Sequence, residues 1–250
     1  STKGGKVLYS ELKAQILRNL GNRNDADTDS LVMGTFNFVQ KWVARMGEWP
    51  ELQALASGGT LISEVSSYHL TTGTYNLGLD RPIIGQTYPI RVSDGSDWRV
   101  PLVLMNSLEW VRLVTSYTAS NGIPSQWTLW GKTARFNPTP DAAYEYEVKY
   151  YQYPEVVVGD TTVIQLEDLD QILVSATTGY AWAGLEEYKQ ASTWLTLANT
   201  MWKEFSGSNR SILNFKPFTE AMERKGTGGD YWSDPFQASM PYWRHRCQQE

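Results

Sequence analysis

The stretch SQWTLWGKTARFNPTPDAAYEYEVKYYQYP, residues 125–154, carries the strongest β-sheet signal in the chain and decides how the rest is divided. After the turn residues NPTPD (137–141), charged residues alternate strictly with apolar and aromatic ones. The charged strand face holds Glu145, Glu147 and Lys149, and the other face holds Tyr144, Tyr146, Val148 and Tyr150. This alternation is typical of a strand with one buried and one wet face. Together with the β-rich run that ends at Phe136, it predicts an antiparallel hairpin.

Further strand-like runs precede this stretch, and strand texture begins at Gly58. They are TLISEVSSYHL (60–70), TYPIRVSD (87–94) and WRVPLVLM (98–105), the last two separated by the turn signal DGSD (94–97). SLEWVRLVT (107–115) fits a short helix or a strand equally well. The middle of the chain is therefore predicted to be an antiparallel β insert.

Helical periodicity flanks the insert on its N-terminal side. Apolar residues recur every three or four positions in residues 7–20, before the terminator Gly21, and again in residues 31–46. The run DADTDS (25–30) offers Asp27 or Thr28 as the N-cap of the second helix. Pro50 stops that helix, and a short one can begin there.

A long helical pattern follows the insert, over residues 169–205, and Gly179 and Gly184 are positioned to bend it or divide it in two. GSNRSILNFKP (207–217) is predicted to be a loop, and FTEAMERKG (218–226) at most a short final helix.

This order of elements predicts an α+β fold, with a helical bundle made of N- and C-terminal helices and an inserted antiparallel β domain. The predicted divisions are N-terminal helices over 1–56, the β insert over 57–156, a C-terminal helical region packing on the N-terminal helices over 157–225, and an extended C-terminal arm over 226–250.

Composition excludes several function classes. A net charge of −5 argues against a protein that grips nucleic-acid phosphates, although not against one past which nucleic acid slides. Cys247 is the single cysteine, so neither an intrachain disulfide nor a cysteine metal site is expected. Because neither a membrane-spanning run nor a signal peptide is recognisable, we expect a soluble protein made in a cytoplasm.

The candidate chemical residues favour structural roles. Asp25, Asp27 and Asp29 alternate as in a calcium loop, but Ser30 and Phe36 occupy the places of the required Gly and Glu, so helix capping is favoured. His69 and His245 are interpreted as structural histidines, Asp94 and Asp97 as turn residues, and Glu145 with Glu147 as a solvated strand face. No catalytic motif, metal site or cofactor motif is found, so we expect no enzyme activity and no cofactor.

The C-terminal stretch GTGGDYWSDPFQASMPYWRHRCQQE (226–250) combines helix-breaking residues with large aromatics. Disordered segments normally have few aromatics, whereas arms that order on a partner use them as anchors. We interpret it as a docking arm with a hinge at 226–229 and these contact residues: Tyr231, Trp232, Phe236, Tyr242, Trp243, Arg244 and Arg246. The alternative is a tail that packs back on its own subunit.

The N-terminal stretch YSELKAQILRNLGNRNDADTDSLVMGTFNFVQKWVARMGEWPELQAL (9–55) resembles the opening of head-to-tail adaptor proteins of tailed bacteriophages, also called connectors or head-completion proteins. The run from Phe136 to Tyr151 is similar to their β hairpin, and the resemblance extends over residues 8–205. It implies a homo-oligomeric ring, commonly of twelve copies, between the portal protein and the tail or nozzle protein. DNA would pass through its channel without specific binding, the arm would grip the portal, and the protein would be found in the neck of the virion.

Two other classes of protein remain open at this point. A tail-tube or tail-terminator ring would occupy the same particle but is usually dominated by β structure. A carbohydrate-active module could use the eleven Trp and fourteen Tyr residues for stacking on sugars, and would need paired carboxylates facing a cleft.

Overall fold

The computed structural model describes residues 7–84, 88–98, 101–116, 120–166 and 168–213. They form an α+β fold, which confirms the predicted fold class, and the predicted arm lies outside them. The helices are α1 (Tyr9–Asn19), α2 (Ala26–Ala44), α3 (Ser107–Ser116), α4 (Asp170–Gly184) and α5 (Tyr188–Leu213). The strands are β1 (Gln53–Leu61), β2 (Ser67–His69), β3 (Ile90–Ser93), β4 (Val103–Leu104), β5 (Gln126–Trp130), β6 (Thr133–Asn137) and β7 (Tyr144–Tyr151).

The chain divides into two compact units. One contains α1, α2, α4 and α5 and is built from residues up to Glu51 and from Pro154 onwards. The other spans Leu52–Tyr153 and contains every described strand together with α3.

Helix α4 is the centre of the helical unit. Residues 172–179 are all buried, and the helix contacts α1, α2 and α5. Its sequence explains this position, because small and apolar residues occur on every side of the helix rather than along one stripe. Helix α5 returns along it, so that Leu195 lies against Gly179 and the Ser175 hydroxyl lies 3.8 Å from the Met201 sulfur.

The C-terminal helical region confirms one prediction and corrects another. The predicted division in two occurs at Gly184, after which Glu186 has a φ of +63°, whereas Gly179 lies inside an unbroken helix. The loop predicted over 207–217 is wrong as far as Leu213, because α5 continues to that residue. A single helical glycine costs only about 1 kcal/mol, and the first proline after it is Pro217, so Gly207 does not end the helix.

The β unit has two sheets around one core. The strand order is β1-β7-β3 in the first sheet and β2-β6-β5-β4 in the second. The predicted alternation of β7 is confirmed, since its apolar and aromatic residues are buried and contribute to a core shared with Trp127, Phe136 and Tyr68.

The predicted hairpin is wrong, because β6 and β7 belong to different sheets. Pro138 and Pro140 lie between them and have no N–H to donate to a ladder, so the chain crosses from one sheet to the other here. The hairpin that does form joins β5 to β6, with Trp130 opposite Thr133 and Gly131 at a φ of +62° in the two-residue loop. The sheets are antiparallel except for the short β4–β5 pair, which is parallel and corrects the prediction there.

Two element boundaries also differ from prediction. The first strand begins at Gln53, and Gly58 lies inside it at an irregularity where the register shifts, so this glycine marks a bulge rather than a strand start. Helix α2 ends at Ala44, before Pro50 opens a short 3-10 turn over Pro50–Leu52.

The ambiguous run at 107–115 is helical. Gly21 follows α1 at a φ of +78°, as a terminator should.

Candidate interaction surfaces

The sequence-predicted docking arm cannot be placed on either unit. Its contact residues lie beyond residue 213 and so outside the described residues, as do His245 and Cys247: Tyr231, Trp232, Phe236, Tyr242, Trp243, Arg244 and Arg246. Their role stays a prediction.

The acidic run before α2 caps the helix, as the sequence favours, but through a different residue. The Asp25 carboxylate accepts hydrogen bonds from the Thr28 backbone N–H and the Thr28 hydroxyl, both at 2.8 Å. Asp25 is therefore the N-cap, and the assignment to Asp27 or Thr28 is wrong. Hydrogen bonding by the Thr28 N–H, with a further contribution from its hydroxyl, lowers the pKa of Asp25.

Other residues with chemical potential are engaged locally. The His69 ring nitrogen Nδ1 accepts from the backbone N–H groups of Thr71 and Thr72, at 3.2 and 3.0 Å, which confirms a structural histidine. Asp94 accepts from the Ser96 backbone N–H at 3.1 Å, as a turn residue does.

At Glu147, the charged face of β7 is less exposed to solvent than the sequence suggests. Arg91 of β3 donates two hydrogen bonds to the Glu147 carboxylate, at 3.1 and 2.8 Å, and its guanidinium lies 4.9 Å from the centre of the Trp98 ring. Glu145 is exposed, as expected. Glu147 is thus held in a bidentate ion pair that links two strands.

Lys13 joins three parts of the helical unit. Its ammonium lies 2.6 Å from Asp29 at the start of α2 and 3.1 Å from Asp160 in the segment that precedes α4. Both carboxylates favour the charged ammonium, and the hydrogen bond to Asp29 raises the pKa of Lys13 most. Next to it the Tyr9 ring is buried against Phe36, with ring centres 5.1 Å apart, and burial raises the pKa of its hydroxyl far above the usual range.

Two amide side chains of α2 bind an extended segment that enters the helical unit after the β insert. Asn37 pairs with both peptide groups of Val157, accepting from its N–H at 2.8 Å and donating to its carbonyl at 3.0 Å. Buried Gln40 donates to the Glu155 carbonyl at 2.8 Å. This attachment leaves Val156 and Val158 facing solvent, with Val158 83% exposed.

The sequence analysis did not identify this amide pair. Asn37 and Gln40 stand three residues apart in the run FNFVQKWV, where Lys41 is the only other polar residue, so both lie on one side of a helix. Polar amides on a largely apolar helix face are a usable signal, because buried amides need partners.

The sheet edges of the β unit differ in how they are covered. The outer edge of β2 bonds to the following loop, with the His69 N–H 3.0 Å from the Tyr75 carbonyl. On the outer edge of β3, the Ile90 carbonyl accepts a hydrogen bond from the Leu102 N–H at 2.7 Å. Strand β4 has only two residues. Strand β1 has nine residues, and in the described parts of the chain it pairs only with β7.

Apart from the bulge at Gly58, strand β1 has few of the features that usually protect an exposed edge. Its sequence, QALASGGTL, contains neither a charged residue nor a proline, and its Leu55 side chain is 53% exposed. Exposed apolar residues also occur around β4 and α3, at Val103 and Leu108.

A family comparison identifies the class of protein that carries these surfaces. Residues 7–216 match the family model described as SU10 adaptor protein. The chain belongs to the SU10 adaptor protein family. No curated protein matches the sequence.

Membership of the SU10 adaptor family confirms the resemblance to phage adaptors at that level. A phage adaptor is a structural, non-enzymatic component of the virion that contacts other capsid or tail proteins. The matched residues include both compact units and end before Gly226, where the predicted arm begins. Of the helices in the described part of the chain, none has the length and apolar character needed to cross a membrane.

Proposed function

We propose that this SU10 adaptor works at the head-to-tail junction, where copies of the chain form a ring between the portal and the tail and surround the DNA passage. The observation that carries the proposal is the adaptor-family match over residues 7–216, which includes both compact units. The predominance of helix over strand in the described residues also favours it over a tail-tube or terminator ring, since those are usually dominated by β structure.

The helical unit, with the four helices found among its described residues, would form the ring wall, and the β unit would face outward or toward the next tail component. A ring closes through heterologous contacts, in which one patch of a copy meets a different patch of its neighbour. Such contacts use apolar and aromatic residues at their centres. The exposed Val156 and Val158 of the helical unit and Val103 and Leu108 of the β unit are suitable members of such patches.

The arm at 226–250 would bind the portal. Tyr231, Trp232, Phe236, Tyr242 and Trp243 supply aromatic anchors of the type that dominates interface energies, while Arg244 and Arg246 suit acidic or polar groups. The glycines at 226–229 would act as the hinge between α5 and these anchors.

The charge of the chain is compatible with a channel that does not retain DNA. A net charge of −5 repels phosphates rather than binding them, so the genome can pass without specific contacts.

Electron microscopy of the purified chain with and without portal rings from the same phage tests the proposal. We expect an additional ring, centred on the portal axis, at micromolar protein and moderate salt. A chain that stays monomeric and leaves the portal particles unchanged would contradict it. Portal rings from an unrelated phage provide the control for non-specific adsorption.

A further inference from the structure

The second sheet of the β unit has an outer face that is exposed to solvent. Side chains alternate between two faces along β2, β5 and β6, and one set of them is buried in the core of the β unit. On the opposite face, which we call the Trp130 face, the register brings these residues side by side: Ser67, His69, Trp130, Thr133 and Arg135. Trp130 is 51% exposed, and Ser67 and Arg135 are exposed as well.

The Trp130 face is basic, although the chain as a whole is acidic. The strands β2, β5 and β6 have the sequences SYH, QWTLW and TARFN, which contain one arginine and no acidic residue. Lys132 lies in the loop that joins β5 to β6 and is exposed. Among the described residues, no carboxylate forms an ion pair with Lys132 or Arg135. Two positive charges are therefore available here, in a chain with 27 acidic and 22 basic residues.

A second arginine of the β unit shows what Arg135 lacks. The Arg91 guanidinium lies 4.9 Å from the centre of the Trp98 ring and donates two hydrogen bonds to the Glu147 carboxylate. The Arg135 guanidinium likewise lies 5.3 Å from the centre of the Trp130 ring, but no described carboxylate completes the arrangement. A guanidinium presents a planar fork of N–H donors that fits a carboxylate. Arg135 is thus suited to a carboxylate from another molecule.

The composition of the Trp130 face favours a protein ligand over a nucleic acid. Tryptophan and arginine are the residue types that dominate the energies of protein interfaces. Single-stranded nucleic acids bind to several aromatic rings in succession, whereas Trp130 is the one Phe, Tyr or Trp residue at the outer positions of β2, β5 and β6. Adaptors contact other capsid or tail proteins, and the charge of this face selects an acidic segment among them.

We propose that the Trp130 face binds an acidic segment of the tail component that follows the adaptor. A carboxylate of that segment takes at Arg135 the place that Glu147 has at Arg91. Lys132 adds a second contact between opposite charges, and Trp130 packs against the carbon chain beside them. The assignment to the tail rests on the proposed function, in which the arm binds the portal.

Assembly of the phage in cells that supply only a variant chain tests this contact. Lys132→Glu combined with Arg135→Glu is expected to give heads that contain the chain in its usual amount but carry a tail about tenfold less often, because like charges then face each other. Lys149→Glu combined with Lys189→Glu, the matched control, changes the charge equally at exposed sites outside the face and should leave the tailed fraction unchanged. Arg135→Lys keeps the charge and should lose fewer tails than Arg135→Glu. Electron microscopy counts the tailed particles, and gel electrophoresis measures the chain in each head.

The outcomes separate this contact from the proposed ring. Normal tails on heads that carry the double variant, equal loss with the control pair, or failure of the variant chain to join the heads would overturn the contact. So would a large fall in the melting temperature of the purified double variant, since it would show that the two side chains support the fold. Absence of the unmodified chain from the neck would refute the ring as well, and that result is read from the unmodified particles.

Second-site suppressors test the chemistry of the partner. Phages that regain tails with the Lys132→Glu and Arg135→Glu chain should carry replacements of Asp or Glu by neutral or basic residues in a tail protein. Suppressors confined to the portal protein, or to apolar residues of the tail protein, would contradict an acidic tail segment as the ligand of this face.

Discussion

Asp25 illustrates how one side chain fixes the start of an element. Its two carboxylate oxygens each accept one hydrogen bond from Thr28, and the ionised form is the better acceptor. Folding therefore lowers the pKa of Asp25 from its ordinary value of 3.8. The stabilisation is present above that value and is lost as the pH falls through the lower folded-state pKa.

We predict that Asp25→Ala lowers the melting temperature at pH 7, because α2 loses its cap. The difference from the unmodified chain should shrink as the pH falls below 3.8. Thermal melts followed by circular dichroism between pH 3 and 7 measure it. Asp25→Ser keeps a capping oxygen and Asp27→Ala leaves the cap in place, so both should change the melting temperature less. If Asp27→Ala proved the more damaging, the assignment of the cap would be wrong.

The sequence alone does not decide which of several neighbouring residues caps α2. Asp25, Asp27, Thr28 and Asp29 are all residue types that cap helices. Only the path of the chain into α2 decides among them, and that path depends on contacts far away in sequence, such as Lys13 with Asp29. Composition thus predicts that a cap exists within this run but not which residue it is.

Lys13 gives a second prediction, at the junction of α1, α2 and the segment before α4. Lys13→Met removes two ion pairs while keeping the length of the side chain, and we expect a loss of about 1 kcal/mol in the free energy of unfolding. The pKa of Lys13 is raised from 10.5, so its contribution is complete below that value and disappears as the pH rises through the higher folded-state pKa.

Urea titrations of the unmodified chain and Lys13→Met at pH 7, 9 and 11 measure this difference. It should be equal at the first two values and smaller at pH 11. Lys189→Met, which alters an exposed lysine of α5, controls for the general change in charge. A difference that stayed constant through pH 11 would show that the effect of Lys13 does not depend on its charge.

At the scale of elements, two helical glycines have opposite roles. A Cβ atom on Gly179 would lie 2.7 Å from the Leu195 Cγ and 3.1 Å from the Leu195 backbone nitrogen, whereas a Cβ on Gly34 would meet nothing within 4 Å. The first glycine therefore allows α4 and α5 to approach closely, and the second only adds conformational freedom to α2.

We predict that Gly179→Ala destabilises the chain by about 1–3 kcal/mol, because α5 must move away from α4. Gly34→Ala, the matched control, should stabilise it by about 0.5–1 kcal/mol. Adding Leu195→Ala to Gly179→Ala tests the mechanism, since a double-mutant cycle should show favourable coupling between the two sites. Equal effects of the two glycine substitutions in denaturant titrations would contradict a packing role for Gly179.

Strand β7 shows how much of an element its own sequence determines. Alternation predicted which of its residues are buried, because one face of any strand in this position must meet the core. It did not predict which strands pair with β7. Gln53 of β1 pairs with Tyr151 of β7, although almost the whole sequence of the β unit lies between these two residues. Local turn signals indicated β6 as the strand that pairs with β7. Strand pairing is decided by the way the two sheets pack, and this information is not present in any short stretch of sequence.

At the scale of the whole molecule, the family match and the predicted aromatic arm lie in different parts of the chain. The match ends at residue 216, so the adaptor assignment is independent of the arm, and the arm's role must be tested separately. Its tryptophans provide that test, because Trp residues that fill partner pockets carry a large share of interface energy.

We predict that Trp232→Ala combined with Trp243→Ala weakens binding to portal rings at least thirtyfold, which corresponds to about 2 kcal/mol. Sedimentation of the chain with portal rings over a concentration series measures the loss. The melting temperature should not change, because neither tryptophan would belong to the core of a compact unit. Trp130→Ala is the matched control: Trp130 is 51% exposed in the β unit, so its loss should leave portal binding intact. Equal weakening by the control would mean that the portal binds exposed tryptophans without regard to the arm, and a large fall in melting temperature for the double variant would mean that the arm packs on its own subunit through these rings.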